Sequence, residues 1–84
     1  MSREIMIMQD YGKVSVSIKE YMAAKNLSRN ALAKATNTRF EVIDRWYKGD
    51  MEKIDADVLA RICYVLECDP GDIIRYTVID VDNR

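Results

Sequence analysis

The stretch Leu27–Gly49, L-S-R-N-A-L-A-K-A-T-N-T-R-F-E-V-I-D-R-W-Y-K-G, constrains this chain more than any other. It predicts two short helices joined by a tight turn. Ser28 stands where an N-cap oxygen would serve the backbone N–H groups of a helix over 29–35. Leu32 points inward, and Ala31, Ala33 and Ala35 are small enough to let a second helix approach closely. Thr36-Asn37-Thr38 interrupts the pattern, with Asn37 suited to a left-handed turn. A helix over about 39–47 then directs Val42, Ile43 and Trp46 toward the core at helical spacing, and Gly49 ends it. Its opposite face carries Arg39, Phe40, Glu41, Asp44, Arg45 and Lys48.

The flanking segments read as support. Residues 4–16 partly alternate, with Ile5 and Ile7, then Val14 and Val16, around Gln9-Asp10-Tyr11-Gly12. This fits a strand or loose hairpin, and equally a flexible arm. Ser17 with Glu20 forms a capping-box pattern that starts a helix at Ile18, and Asn26 terminates it. Asp55 caps a further helix with an apolar stripe of Val58, Leu59, Ile62, Cys63 and Leu66. Asp69-Pro70 starts a short fifth helix over about 70–75, since proline at the first helical position loses no hydrogen bond. The tail Tyr76–Val81 is β-branched and aromatic, hence a strand. A lone strand leaves backbone groups unpaired, so it pairs with the N-terminal strand, with a second copy of the chain, or with both.

Eighty-four residues suit one small domain, and 49% apolar with 32% charged residues is an ordinary globular composition. No apolar run approaches the roughly 18 residues of a membrane span. The first residues lack the apolar core and cleavage site of a signal peptide, so a cytoplasmic location is expected. Cys63 and Cys68 have no histidine beside them. Zinc needs more ligands and a disulfide across a helix end is geometrically doubtful, so they read as small buried hydrophobes. With no histidine, phosphate-binding glycine loop or nucleophilic serine setting, the chain carries no enzyme signature. Neither cofactor, metal nor small-molecule ligand is expected.

Net charge is −1, but its distribution is uneven. Residues 28–53 hold six basic side chains (Arg29, Lys34, Arg39, Arg45, Lys48, Lys53) against four acidic ones, and residues 54–84 hold three against seven. This polarity would turn one face toward a polyanion.

These segments together resemble the lambda-repressor-like helix-turn-helix family of the Cro/repressor or XRE type. The resemblance rests on L-S-x-x-x-L-A at 27–33, the I-x-R-W-x-x-G ending at 43–49, and L-x-x-I-C-x-x-L-x-C-D-P-G-D-I-I at 59–74. It covers roughly residues 18–75, with an N-terminal arm or strand at 1–17 and a C-terminal strand or tail at 76–84. The fold it implies is mainly α: five helices, with short terminal β-strands pairing within or between chains. The function it implies is sequence-specific binding of double-stranded DNA by a homodimeric transcriptional regulator. The 76–81 strand is expected to form the dimer on edge-strand logic, not on any motif. The third helix would enter the major groove with Arg39, Phe40, Glu41 and Arg45 toward the bases. Arg29, Asn30, Lys48 and Lys53 would lie against phosphates.

The chain departs from the family pattern at three places. Asn37 stands where glycine is usual. Arg39 replaces a small hydroxyl cap, which leaves Thr38 to cap the recognition helix. Glu41 and Asp44 place carboxylates on the face that should meet phosphates. The acid-first spacings Glu41–Arg45 and Asp44–Lys48 favour pairing along the helix. An alternative motivated by the acidic pI, the acidic rear half and exposed Phe40 and Tyr47 is a helix-turn-helix turned toward a protein partner, as in an antitoxin, anti-repressor or inhibitor.

Overall fold

The computed structural model describes residues 4–49 and 51–78. Its elements are β1 (Lys13–Val16), α1 (Lys19–Ala24), α2 (Arg29–Thr36), α3 (Phe40–Lys48), α4 (Ala56–Leu66), α5 (Pro70–Ile73) and β2 (Ile74–Thr77). β1 and β2 pair antiparallel, with Val14 opposite Tyr76 and Val16 opposite Ile74. The mainly helical fold and the two short terminal strands match expectation, and the strands join within one chain.

The core draws one or more residues from nearly every element: Val16, Ile18, Met22, Leu32, Ala33, Ile43, Trp46, Ile62, Leu66 and Ile73. Leu32, Ile43 and Trp46 come from the two helices read first in the sequence. On α4 the apolar stripe is graded, with Ile62 and Leu66 buried and Val58, Leu59 and Cys63 packed at the margin. Asp55 caps α4 as expected, its carboxylate accepting from Asp57 N at 2.8 Å and Val58 N at 3.3 Å. Before α5, the carboxylate of Asp72 accepts from Asp69 N at 2.8 Å.

Left-handed residues set the turns. Asn26 (φ 58°), Asn37 (φ 53°) and Gly49 (φ 76°) stand where the sequence placed them, and Glu67 (φ 55°) is a fourth. Around Asn26, the N–H of Leu27 returns to the Met22 carbonyl at 2.9 Å. Thr38 N to Ala33 O at 2.9 Å and Cys68 N to Cys63 O at 3.1 Å repeat this closure at α2 and α4. Each uses a carbonyl that the helix end would leave unpaired. Gly49 is required as glycine: a Cβ there would stand 2.6 Å from the Val16 carbonyl oxygen.

Four local expectations are corrected. Ser17 does not cap α1. The cap position is Ile18, without a side-chain bond, and the helix begins at Lys19. The Ser17 N–H bonds Ile73 O at 2.8 Å instead, continuing the β1–β2 ladder while Ile18 sinks into the core. Residues 4–12 form no strand, and Met8 (φ 69°) and Gly12 (φ 92°) bend the chain. α5 ends at Ile73 and β2 begins at Ile74, two residues earlier than expected, because β-branched Ile74 pairs with Val16. Residues 79–81 of the expected strand lie outside the described residues. Thr38 does not cap α3, since its hydroxyl donates to Thr36 O at 3.1 Å; Arg39 holds the cap position with no side-chain bond.

Among the described residues no helix is long and apolar enough to cross a membrane, and no group of three metal-ligating side chains assembles.

Candidate nucleic-acid interface

α3 is strongly amphipathic. Burial of Ile43 and Trp46 fixes its rotation, so Arg39, Phe40, Glu41, Arg45 and Lys48 all face solvent. Arg29 and Asn30 are exposed in the first turn of α2, and Lys53 is exposed in the loop leading to α4. All eight residues singled out in the sequence are therefore accessible.

Five of them fall into two groups, and among the contacts of the described residues Glu41, Arg45 and Lys53 join neither. Asn30, Lys34, Asn37, Thr38, Arg39 and Phe40 line one groove between α2 and the start of α3. Lys34, which the sequence analysis counted only as charge, belongs to this surface. The second group surrounds Asp44. Arg29 Nη1 lies 2.6 Å from Asp44 Oδ1, and Lys48 Nζ lies 3.0 Å from Oδ2. The Arg29 guanidinium also lies over the rings of Tyr47 at 4.7 Å and Phe40 at 5.8 Å, and Lys19 approaches Tyr47 at 4.9 Å.

The carboxylates on this face differ. Asp44 forms the expected pair with Lys48 and adds Arg29, a residue fifteen positions earlier that sequence spacing gave no reason to connect. Hydrogen bonds from Lys48 and Arg29 hold its carboxyl below the ordinary value of 3.8, against a smaller opposing effect of burial. The expected Glu41–Arg45 pair does not form: no Glu41 carboxylate oxygen lies within 4.0 Å of Arg45, although the spacing allows it. Glu41 stands in the first turn of α3, where its charge opposes the positive helix end directly.

Sequence reasoning also missed Arg61. From α4 its Nη1 donates to the carbonyls of Thr36 at 3.1 Å and Asn37 at 2.9 Å, and its Nε pairs with Asp57 at 3.0 Å. The turn between α2 and α3 is thus tied from outside. Lys19 was missed as well, and Tyr47, expected to be exposed, is half-buried beneath Lys19 and Arg29. The only signal for Lys19 was basic character on a face whose neighbours appear only in three dimensions.

The fold is similar to that of a known protein. A solved structure titled as the transcriptional regulator VanUg, Form II, is similar with a TM-score of 0.63 and 25% identity, covering 92% of this chain and 100% of that one. No curated protein matches the chain. The family model for the Cro/C1-type HTH DNA-binding domain matches residues 17–78. The Ser28 cap of α2, the Asn37 turn, the buried face of α3 and this match over most of the chain agree, and the protein belongs to the Cro/C1-type helix-turn-helix DNA-binding domain family.

Proposed function

We propose that this protein binds double-stranded DNA in a sequence-specific manner and regulates transcription as a homodimer. The observation that carries this reading is the rotation of α3. Ile43 and Trp46 are buried, and Arg39, Phe40, Glu41 and Arg45 project outward from the helix that follows the Asn37 turn. α3 enters the major groove. There an arginine can grip guanine O6 and N7, Glu41 can accept from cytosine N4, and Phe40 can meet a thymine methyl. Arg29, Asn30, Lys48 and Lys53 contact phosphates, a salt-sensitive and sequence-independent contribution.

Dimerisation is supported by the sheet. Val14 and Tyr76 are a cross-strand pair on the same face as the Val16–Ile74 pair, but lie past the edge of the core and are 49% and 64% exposed. Val78 continues this overhang at 49%. An apolar strip of this kind is covered when a second copy brings its own strip against it in a two-fold arrangement. Two such protomers would present two α3 helices to half-sites about one helical turn apart.

A protein-binding role is favoured by one observation: Asp44 partly neutralises two cations of the interface. The two roles separate in a fluorescence-polarisation titration of mixed duplexes at rising salt, run beside sedimentation velocity. DNA binding predicts affinity that falls as salt rises, from a dimeric species. Negligible affinity for every duplex at low salt refutes it, and a sole monomer at micromolar concentration refutes the dimer.

A further inference from the structure

The two oxygens of Asp44 are divided between two helices, Oδ1 holding Arg29 from the start of α2 and Oδ2 holding Lys48 from the end of α3. The carboxylate lies beneath its partners: the Asp44 side chain is 20% exposed, against 43% for Arg29 and 63% for Lys48. The ring of Tyr47 keeps the Arg29 guanidinium in this position. A backbone phosphate offers the same chemistry, two anionic oxygens at hydrogen-bonding distance from two cations. Among the described residues Arg39 and Arg45 pair with no carboxylate within 4.0 Å.

We infer that Asp44 is a specificity-raising residue, an internal competitor that occupies Arg29 and Lys48 as a phosphate would. The inference rests on the DNA-binding reading above and concerns how that surface divides its affinity. Arg29 and Lys48 supply attraction that is the same for every sequence, and Asp44 lowers it. Arg39 and Arg45, at the base-facing positions, are left unmasked. The ratio of specific to non-specific affinity rises because the non-specific part is weakened.

The test compares Asp44→Asn and Asp44→Ser with Glu20→Gln, which removes the same charge from an exposed α1 residue without an ion pair among the described residues. Elution from immobilised heparin reads the unmasked cations without requiring DNA recognition, and circular dichroism confirms that each variant is folded. The expected result is later elution of both Asp44 variants than of Glu20→Gln. With a mixed-sequence duplex, the log–log salt dependence should steepen by roughly one to two, since each neutralised phosphate contributes about 0.9. The preference for a selected site over mixed sequence should fall. Co-elution with Glu20→Gln overturns the inference, and so does weaker duplex binding at an unchanged salt slope, which would make Asp44 a support for its two cations. If the heparin shift occurs but neither wild type nor variant binds any duplex, the masking stands and the DNA-binding reading fails.

Discussion

Arg61 of α4 closes the turn that carries Asn37. Its Nη1 lies 2.9 Å from the Asn37 carbonyl oxygen, while Asn37 itself is left-handed at φ 53°. Thr36 O, the second carbonyl that Arg61 reaches, also accepts from the Thr38 hydroxyl and so keeps a partner if Arg61 is lost. Arg61→Met preserves the aliphatic stem and removes the donors. It should lower stability by about 1–2 kcal/mol, the low end for charge-assisted hydrogen bonds because the site is partly solvated. Urea unfolding followed by Trp46, 1% exposed and the chain's single tryptophan, reads this directly.

Gly49 should tolerate no side chain. Gly49→Ala combines a left-handed backbone with a Cβ 2.6 Å from Val16 O. A left-handed L-residue costs roughly 1–2 kcal/mol, and relieving the overlap requires shifting β1 or the end of α3. A loss of about 2 kcal/mol or more is expected in the same unfolding experiment. At the other turn, Asn37→Gly should be near neutral and Asn37→Ala should destabilise.

Acid should dissolve the Asp44 cluster late. Its folded-state carboxyl titrates below 3.8, so the contribution of the cluster to stability is complete above that value and is lost as pH falls through the lower folded-state one. Carboxyl-carbon NMR should find Asp44 titrating at lower pH than in Arg29→Gln or Lys48→Gln. Glu67 should behave in the same way, held down by Lys25 at 2.9 Å.

Cys68 should be an unreactive thiol. Burial, then Cys63 and the nearby Asp72 and Asp69, push it from 9.0 to about 11. The thiolate is the nucleophile, so the shift leaves about 100-fold less of it than in an ordinary cysteine at pH 8. Alkylation of Cys63→Ser protein by iodoacetamide should therefore be slow at pH 8 and should go on accelerating above pH 9. Removing Cys63 also removes one of the causes, so part of the shift should relax in that variant.

The sequence carried the local features of the fold well, because caps and left-handed turns are written in one or a few adjacent residues. Ser28, Asn37, Gly49, Asp55 and Pro70 each perform the role their chemistry implies. Ser17 fails as a cap because a long-range ladder bond to Ile73 takes its backbone first. Glu67 was not foreseen as left-handed because glutamate has no preference for that region; closure of the α4 end imposes it. At the interface, spacing along one helix found Asp44–Lys48 and wrongly suggested Glu41–Arg45, since i,i+4 spacing permits a pair without requiring it. Arg29–Asp44 and Arg61–Asn37 join residues fifteen and twenty-four apart, and only the packing of α2 against α3 and α4 brings them together.

DNA recognition as proposed requires the exposed face of α3 to read base sequence. Selection of bound duplexes from a random pool, run on wild type and on Arg45→Ala, tests it most directly. Wild type should enrich a two-fold symmetric site with half-sites about one turn apart, and Arg45→Ala should lose preference at one position in each half while the remaining positions persist. No enrichment by wild type, or the same site returned unchanged when Arg39, Phe40, Glu41 and Arg45 are each replaced by alanine, would contradict it.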